Sequence, residues 1–223
     1  MRILAVEGAL ARCSVALLVD GAVVAARQQE AARGHPALLP RFAAEILADA
    51  GWAATALDAV AVGVGPGGFT GLRAAIALAE GLAQAAGRPL VGVTTGEALA
   101  AALPEGLATG RAIWAAIDNR RGRVVLECFA PGAAKPGLPI VAPLDSLPAA
   151  GAPVLILGDA AEAVAALLTA RGDVAQSRPG LPCAAAVARV AADRLAGRLP
   201  PRDATPLYAE PPAVSAPPPS RTA

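Results

Sequence analysis

Residues 65–73 read GPGGFTGLR, a glycine-rich segment that indicates the fold class. It follows an apolar run at residues 58–64 that is typical of a buried strand. It leads into residues 71–86, where apolar side chains recur at helical spacing. Glycines in such a turn permit backbone angles that other residues avoid, and Thr70 after Phe69 is a suitable helix N-cap. The segment therefore predicts a strand, a tight turn and a helix, the repeating unit of an α/β protein.

Three short strands and a helix precede this unit. The strands are expected at residues 2–6, 13–19 and 22–27. Between the last two, Asp20-Gly21 predicts a tight hairpin turn because both residues tolerate positive φ. Residues 36–50 then show the apolar spacing of a helix. The chain is thus expected to open with an antiparallel hairpin and to continue as a strand-helix alternation.

The second half of the chain repeats this order of elements. The remaining strands are expected at residues 90–93, 111–118, 123–130, 138–142 and 154–157, and the remaining helices at residues 96–103, 159–170 and 182–196. Parallel strands with helical crossovers beside antiparallel hairpins predict mixed sheets flanked by helices. We expect an N-terminal lobe at residues 1–104, a smaller lobe at residues 105–210 and a proline-rich, extended or disordered tail at residues 211–223.

The composition limits the classes of function. Apolar residues make up 55% of the 223 residues and charged residues 17%, which excludes general disorder. The formal net charge is +1 and only three Phe, two Trp and one Tyr are present, so any nucleic acid is expected to be held by a partner, and no DNA partner is expected. Three widely spaced cysteines suit reduced thiols. Because an acid follows at residue 7 and no unbroken apolar run of ~18 residues exists, we expect no membrane segment and a cytoplasmic protein.

Two acids follow strands that occupy equivalent places in the two halves. Glu7 ends the first strand of the first half, and Asp118 ends the first strand of the second. In a two-lobed ATP-binding fold, acids at such turns help to hold a metal ion and the turns cradle phosphates. The turn after Asp118, however, carries Arg120 and Arg121 where glycines would let the backbone approach a phosphate. Glu7 and Asp118 are therefore predicted to be vestigial nucleotide-site acids, with ordinary polar turns as the alternative.

The sequence gives weaker support for a dinucleotide site, a metal site or a hydrolytic active site. GVGPGG at residues 63–68 matches G-x-G-x-x-G, but the next strand ends without an acid for a ribose, and no Gly-Lys-Ser/Thr follows. His35 is the single histidine, so a two-histidine metal motif cannot be built. We expect no catalytic residue and no metal ligand in this chain. An ATP-dependent kinase or hydrolase that uses Glu7 and Asp118 is the enzymatic alternative, and a peptidase is a weaker one.

The glycine-rich segment resembles the G-P-G-S-F-T-G-L-R signature of the bacterial TsaB (YeaZ) family. The residues that carry the resemblance are Gly65, Pro66, Gly67, Phe69, Thr70, Gly71, Leu72 and Arg73, with Gly68 where the family has serine. Further segments agree in order, among them ILAVE at residues 3–7, TGEALA at residues 95–100 and AIDNRRG at residues 116–122. The resemblance extends to about Tyr208.

The resemblance implies an actin/Hsp70-like (ribonuclease H-like) fold and a role in forming threonylcarbamoyladenosine beside the anticodon of tRNA. In that family the related partner TsaD carries the metal, the nucleotide and the catalytic work, and the ATPase TsaE joins the complex. The resemblance therefore implies a non-catalytic subunit that contacts tRNA indirectly. It also implies no cofactor in the isolated chain, with ATP or ADP and the metal on the partners.

Members of this family also associate through the helices of the N-terminal lobe. This implies that the helices at residues 36–50 and 71–86 contact TsaD or a second copy of the chain. Small residues on one face of the second helix would let a partner approach closely. The predicted interface residues are Leu39, Phe42, Ile46, Gly71, Leu72, Ala75 and Ala79. The chain departs from the family pattern at Glu7, at Gly68 and at Tyr208-Ala209-Glu210.

Overall fold

Two five-stranded mixed sheets form the framework of the protein. The structure is a computed structural model that describes residues 1–31 and 33–209. The predicted tail at residues 211–223 and the departure at Glu210 lie outside the described residues. In each sheet, two antiparallel pairings are followed by two parallel pairings, so the second half of the chain repeats the plan of the first.

The first sheet has the strand order β3-β2-β1-β4-β5. Its strands are β1 (Arg2–Glu7), β2 (Arg12–Val19), β3 (Ala22–Glu30), β4 (Ala59–Gly63) and β5 (Leu90–Val93). The predicted hairpin turn is confirmed, because Asp20 and Gly21 both take positive φ, 48° and 86°. Strands β1 and β4 are buried from end to end after Arg2, as expected of central strands covered on both faces.

Two helices cover one face of the first sheet, α1 (His35–Asp49) and α2 (Phe69–Ala86). Helix α2 ends at Gly87, which takes the left-handed φ of 62° that favours glycine at this position. Its start differs from the prediction, because Gly68 is the N-cap and makes no side-chain capping bond. The assignment of Thr70 as N-cap was therefore wrong, and the helix begins one residue before it, at Phe69.

The second sheet has the equivalent order β8-β7-β6-β9-β10. Its strands are β6 (Ala112–Asp118), β7 (Arg123–Phe129), β8 (Ile140–Pro143), β9 (Val154–Gly158) and β10 (Ala175–Pro179). Helix α4 (Ala161–Ala170) covers one face through Val164 and Leu168. Strand β10 was not predicted; it pairs in parallel with β9 at the edge of the sheet.

Helices α3 (Thr95–Ala101) and α5 (Ala184–Leu195) connect the two halves. Helix α5 follows the second sheet in sequence but packs on the first, where Val187 shares a core with Ile3. Helix α3 lies between the halves, with Ala98 in that core and Leu99 in the core of the second sheet. Helix α5, which lies in the range predicted as the second lobe, therefore covers part of the first sheet. In residues 1–31 and 33–209, no helix is both long and apolar enough to cross a membrane.

Candidate functional site

A cleft of about 840 Å³ lies between the two sheets, at the carboxyl ends of their central strands. Its walls include the turn after β1, the glycine-rich segment after β4, the turn after β6 and the residue that follows β9. In α/β proteins the carboxyl ends of parallel strands meet at one edge, where ligands commonly bind. The duplicated architecture therefore builds one concave site from both halves of the chain.

The glycines at residues 67 and 71 are required by close packing against the β1–β2 turn. A Cβ on Gly67 would lie 2.3 Å from the carbonyl oxygen of Ala9, and a Cβ on Gly71 would lie 2.3 Å from that of Gly8. Real Cβ atoms do not approach backbone this closely, so any side chain would push the loop and the turn apart. Because residues 67 and 71 have no side chain, the start of α2 can pack directly against the β1–β2 turn.

Hydrogen bonds fix the glycine-rich segment to two other elements. Gly68 donates its N–H to the carbonyl of Ala9 at 2.7 Å. Thr95, at the start of α3, donates its N–H to Gly65 at 2.8 Å and its hydroxyl to the carbonyl of Pro66 at 2.7 Å. These contacts support a structural turn rather than an open phosphate loop. A Cβ on Gly68 would lie 3.5 Å from the Ala9 oxygen, an ordinary contact, so the serine of the family signature fits there too.

Glu7 lies beneath the β1–β2 turn and not among the residues that line the cleft. Its side chain is fully buried, and Oε1 accepts the N–H of Ala9 at 2.6 Å. Gly63 on β4 makes room for the carboxyl, since a Cβ there would lie 1.8 Å from Oε2. Burial raises the pKa of Glu7 to about 7, against the smaller opposing effect of the backbone N–H groups. The carboxyl therefore supports the turn from the inside.

Asp118 lines the cleft, but its own neighbour engages its carboxylate. Oδ1 accepts the backbone N–H of Arg120 at 2.7 Å, and Oδ2 lies 3.6 Å from the Nε of the same residue. The N–H of Asp118 is donated to Oδ1 of Asp159 at 3.0 Å, and burial raises the pKa of Asp159. Of the two predicted acids, the structure thus brings one to the cleft and places the other inside the first sheet's core.

A buried polar junction joins the two sheets at the start of α3. Thr94 and Glu97 form a capping box, with bonds of 3.1 Å to the hydroxyl and 2.8 Å to the carboxylate. Glu127 of β7 accepts the N–H of Gly96 at 2.6 Å, and burial raises the pKa of Glu127 to about 7. Glu97 also forms a buried ion pair of 2.6 Å with Arg194 of α5. The junction therefore ties α3, β7 and α5 together behind the cleft.

An exposed aromatic pair and an arginine stand at the mouth of the cleft. Phe69 and Tyr208 stack with their ring centroids 6.1 Å apart. Arg73 lies over the ring of Phe69, 3.6 Å from its centroid, and donates Nε–H to the hydroxyl of Tyr208 at 2.8 Å. Phe69 is 53% exposed and Tyr208 44%. We call these three residues the aromatic rim.

Sequence reasoning named Phe69 and Arg73 only as signature residues and missed their contact with Tyr208. Tyr208 reaches it because the segment after α5 returns along the ends of β4 and β5. Gly92 donates its N–H to the carbonyl of Arg202 at 3.0 Å, and Leu207 donates its own to that of Val64 at 2.7 Å. The available signal was the four-residue spacing of Phe69 and Arg73, which places two side chains on one face of a helix. Nothing local marks Tyr208 as their neighbour.

The predicted interface residues lie in or against the core of the first sheet. The fully or almost fully buried ones are Leu39, Phe42, Ile46, Leu72, Ala75 and Ala79. Gly71 is half-buried against the β1–β2 turn. The spacing identified the apolar stripe of each helix correctly, but this stripe faces the sheet and the neighbouring helix. These six side chains are enclosed within the chain and cannot contact a partner directly, whereas the assignment of Gly71 and of the two helices to an interface stays a prediction.

His35 is the first residue of α1, one residue before the predicted start, and its Nε2 lies 2.9 Å from the carbonyl oxygen of Leu10. This contact links α1 to the β1–β2 turn. Among residues 1–31 and 33–209, no three His, Cys, Asp or Glu side chains are grouped so that they could hold a metal ion.

The duplicated mixed sheets with a cleft between them define a protein of the actin/Hsp70-like (ribonuclease H-like) fold. The ethanolamine utilization protein EutJ from Carboxydothermus hydrogenoformans is similar to the chain, with a TM-score of 0.50 over 85% of this chain and 89% of that one. The two sequences are 15% identical, so this likeness shows the fold alone.

Closer relatives point to one family. A family model described as TsaD, tRNA N6-adenosine threonylcarbamoyltransferase, matches residues 23–127. The tRNA threonylcarbamoyladenosine biosynthesis protein TsaB of Escherichia coli is 40% identical over 124 residues, which cover 56% of this chain and 53% of that protein. The namesake from Haemophilus influenzae is 36% identical over 124 residues, 56% of this chain and 52% of that protein. The chain thus spans about half the length of the curated relatives it matches.

A solved structure covers more of the chain. The protein with similarity to peptidase YEAZ from Pseudomonas aeruginosa has a TM-score of 0.79 and 29% sequence identity, over 94% of this chain and 99% of that one. These likenesses of sequence and structure together support the TsaB (YeaZ) family for this chain.

Proposed function

We propose that this chain is a non-catalytic subunit in the formation of threonylcarbamoyladenosine in tRNA, that it binds TsaD, and that TsaE joins the complex. The part in tRNA modification is supported by the names of the Escherichia coli relative and of the matching family model. In this proposal ATP or ADP and the metal are held by the partners, and the protein works in the cytoplasm.

The position of Glu7 is the observation that carries the non-catalytic assignment. An acid that holds a nucleotide-bound metal ion must present its oxygens to the cleft. Glu7 instead directs Oε1 to the N–H of Ala9 and encloses Oε2 beside Gly63. Asp118, the second candidate acid, is already paired with Arg120. This arrangement favours a supporting role over an ATP-dependent kinase or hydrolase.

The exposed face of α2 is the surface that we propose for docking. Ala77, Gly81 and Ala85 are exposed and follow one another at four-residue spacing, so they lie along one side of the helix. A Cβ on Gly81 would meet nothing within 4 Å, which shows open space beside the helix. Small side chains let a second helix approach closely, and its apolar contacts would supply the binding energy. We call these three residues the α2 strip and assign to it the contact with TsaD or with a second copy.

Charged substitutions in the α2 strip test this surface. Ala77→Arg and Gly81→Arg should abolish co-purification with TsaD, because a buried unpaired charge is costly. Ala166→Arg, at an exposed alanine of α4, is the matched control and should leave the complex intact. Gly81→Ala should also retain it. Circular dichroism checks that each variant folds. Unchanged binding of TsaD by both strip variants would rule out this surface. An equal loss of TsaD binding by Ala166→Arg would show that the effect is not specific to the α2 strip.

The function itself is tested by reconstitution. tRNA modification by TsaD and TsaE should depend on added chain, and a rate indifferent to its presence would reject the proposal. The enzymatic alternative is separated by calorimetry of the isolated chain with Mg-ATP. Tight stoichiometric binding, with turnover that Glu7→Gln abolishes, would favour the kinase or hydrolase instead. Hydrolysis of peptides by the isolated chain would favour the peptidase.

A further inference from the structure

The cleft wall that carries the aromatic rim is basic. Arg33, which precedes α1, and Arg73 of α2 are charged residues of this wall, and among the described residues no acidic side chain lines it. The charged residues of the opposite wall are Asp118, Arg120, Arg121 and Asp159. The acids there are engaged within the chain, because Asp118 pairs with Arg120 and Asp159 accepts the N–H of Asp118. The mouth of the cleft therefore favours an anionic ligand.

The aromatic rim adds a second requirement. Its two rings are stacked yet about half exposed, at 53% and 44%. Exposed rings next to arginine guanidinium groups are typical surfaces for stacking of a nucleobase, since every base offers a flat π-face. An aromatic face beside positive charge thus matches a planar base that is followed by phosphates. An acidic peptide would satisfy the charge but would not need the stacked rings.

We propose that the aromatic rim and the arginines around the cleft bind an unpaired base of a single-stranded RNA segment together with its flanking phosphates. The arginines come from three separate elements, the approach to α1, helix α2 and the turn after β6. This spread suits several phosphates along a strand better than the single phosphate group of a mononucleotide. The small number of aromatic residues excludes an extended stacking platform, but one base needs only the two rings that the fold brings together.

This inference rests on the proposed function for the identity of the RNA, which would be the tRNA itself. It changes one part of that function, since the chain would touch the tRNA directly and not only through its partner. The α2 strip and the aromatic rim are different residues, so the two proposals can fail separately.

Binding is measured by fluorescence anisotropy with a fluorescein-labelled, single-stranded oligoadenylate RNA and the full chain. Phe69→Ala should weaken binding by about fivefold to about 150-fold, the range for loss of one stacked base. Phe69→Tyr keeps a ring and should retain binding. Because Phe69 is more than half exposed, neither change removes a core side chain. Equal affinity of the Phe69→Ala variant and the wild type would overturn the proposal.

The arginines are tested through the dependence of binding on salt. Each phosphate contact in a single strand contributes about 0.7 to the slope of log K against log salt concentration. Arg33→Gln and Arg121→Gln should each lower the slope by about this amount. Arg88→Gln changes an exposed arginine after α2 that is not part of the cleft, and it should leave the slope unchanged. Equal slopes for all three variants would contradict the assignment.

The single tyrosine of the chain gives an independent readout. Incorporation of 3-fluorotyrosine labels Tyr208 alone, and its fluorine resonance should shift when the oligoadenylate is added. Adenosine monophosphate and polyglutamate serve as competitors. Neither competitor should displace the RNA at concentrations comparable to that of the RNA. Displacement by adenosine monophosphate would indicate a mononucleotide site, and displacement by polyglutamate would indicate an effect of charge alone. Either result would overturn the proposal.

Co-purification of the Phe69→Ala variant with TsaD separates this proposal from the previous one. Retained TsaD with weakened RNA binding supports an RNA contact at the rim. Conversely, failure of the wild-type chain to bind TsaD would refute the docking function. The titration of the isolated chain with RNA would still test the RNA contact.

Discussion

The buried carboxyl of Glu7 should make the wild-type fold less stable as the pH rises. Replacing Glu7 by glutamine should remove this dependence of stability on pH. Oε1 accepts the N–H of Ala9, while Oε2 has no hydrogen-bond partner among the described residues. Burial raises the pKa of Glu7 from its ordinary value of 4.5 to about 7. Between these two values the folded chain holds a proton that the unfolded chain has lost.

The pKa difference between the folded and the unfolded chain corresponds to about 3 kcal/mol of unfolding free energy. For an acid whose folded pKa is raised, this stabilisation is fully present below pH 4.5 and is lost as the pH rises to about 7. The Glu7→Gln variant has no such loss, because its amide does not titrate. Glu127, whose pKa burial also raises to about 7, is present in both proteins and cancels in the comparison.

Urea unfolding followed by tryptophan fluorescence measures the effect. Between about pH 5 and about pH 8, the wild type should lose roughly 2 to 3 kcal/mol relative to Glu7→Gln. Glu162→Gln, which removes an exposed carboxylate of α4, is the control and should follow the wild type. A difference that stays constant with pH, or that favours the wild type as the pH rises, would refute the reasoning. Either result would indicate that the Glu7 carboxylate is ionised in the folded chain, as expected of an acid that faces water or a cation.

Four further predictions concern packing and polar contacts within the fold. Gly81→Ala should stabilise the protein by about 1 kcal/mol, because α2 gains helix propensity and the new Cβ meets nothing within 4 Å. Gly71→Ala should destabilise it by about 1–3 kcal/mol through overpacking against a backbone carbonyl, and thermal unfolding that gave the reverse order would contradict both. Arg194→Met should cost about 3–5 kcal/mol because Glu97 is left buried without its partner; urea unfolding with less than ~1 kcal/mol lost would contradict it. Thr94→Ala should cost about 1 kcal/mol through loss of the capping box, and unchanged urea unfolding would show that the box contributes nothing.

Elements whose boundaries depend on local chemistry were predicted well. The turn at Asp20-Gly21 and the end of α2 at Gly87 follow from residues that accept positive φ. Helix α1 begins at His35, one residue from the predicted start. These features depend on interactions between near neighbours in sequence, so a sequence pattern is sufficient to place them.

Elements that depend on distant partners were not predicted. Strand β10 has the polar sequence AQSRP and becomes a strand because it pairs with β9. Helix α2 starts after Gly68, whose N–H is held by the carbonyl of Ala9, and not after the expected cap Thr70. In both cases a tertiary contact overrides the local preference.

The features of the candidate site also divide into those that depend on local sequence and those that depend on distant contacts. Periodicity and residue type were sufficient to predict the α/β class, the duplicated order of elements, the glycine-rich turn and the apolar stripes of α1 and α2. The assembled fold was needed to show that those stripes are core, that Glu7 is enclosed beside Gly63, and that Tyr208 stacks on Phe69. The physical reason is that periodicity identifies which face of an element is apolar but not what covers it. Close approach of a backbone and contacts across 135 residues arise only when the two sheets are assembled.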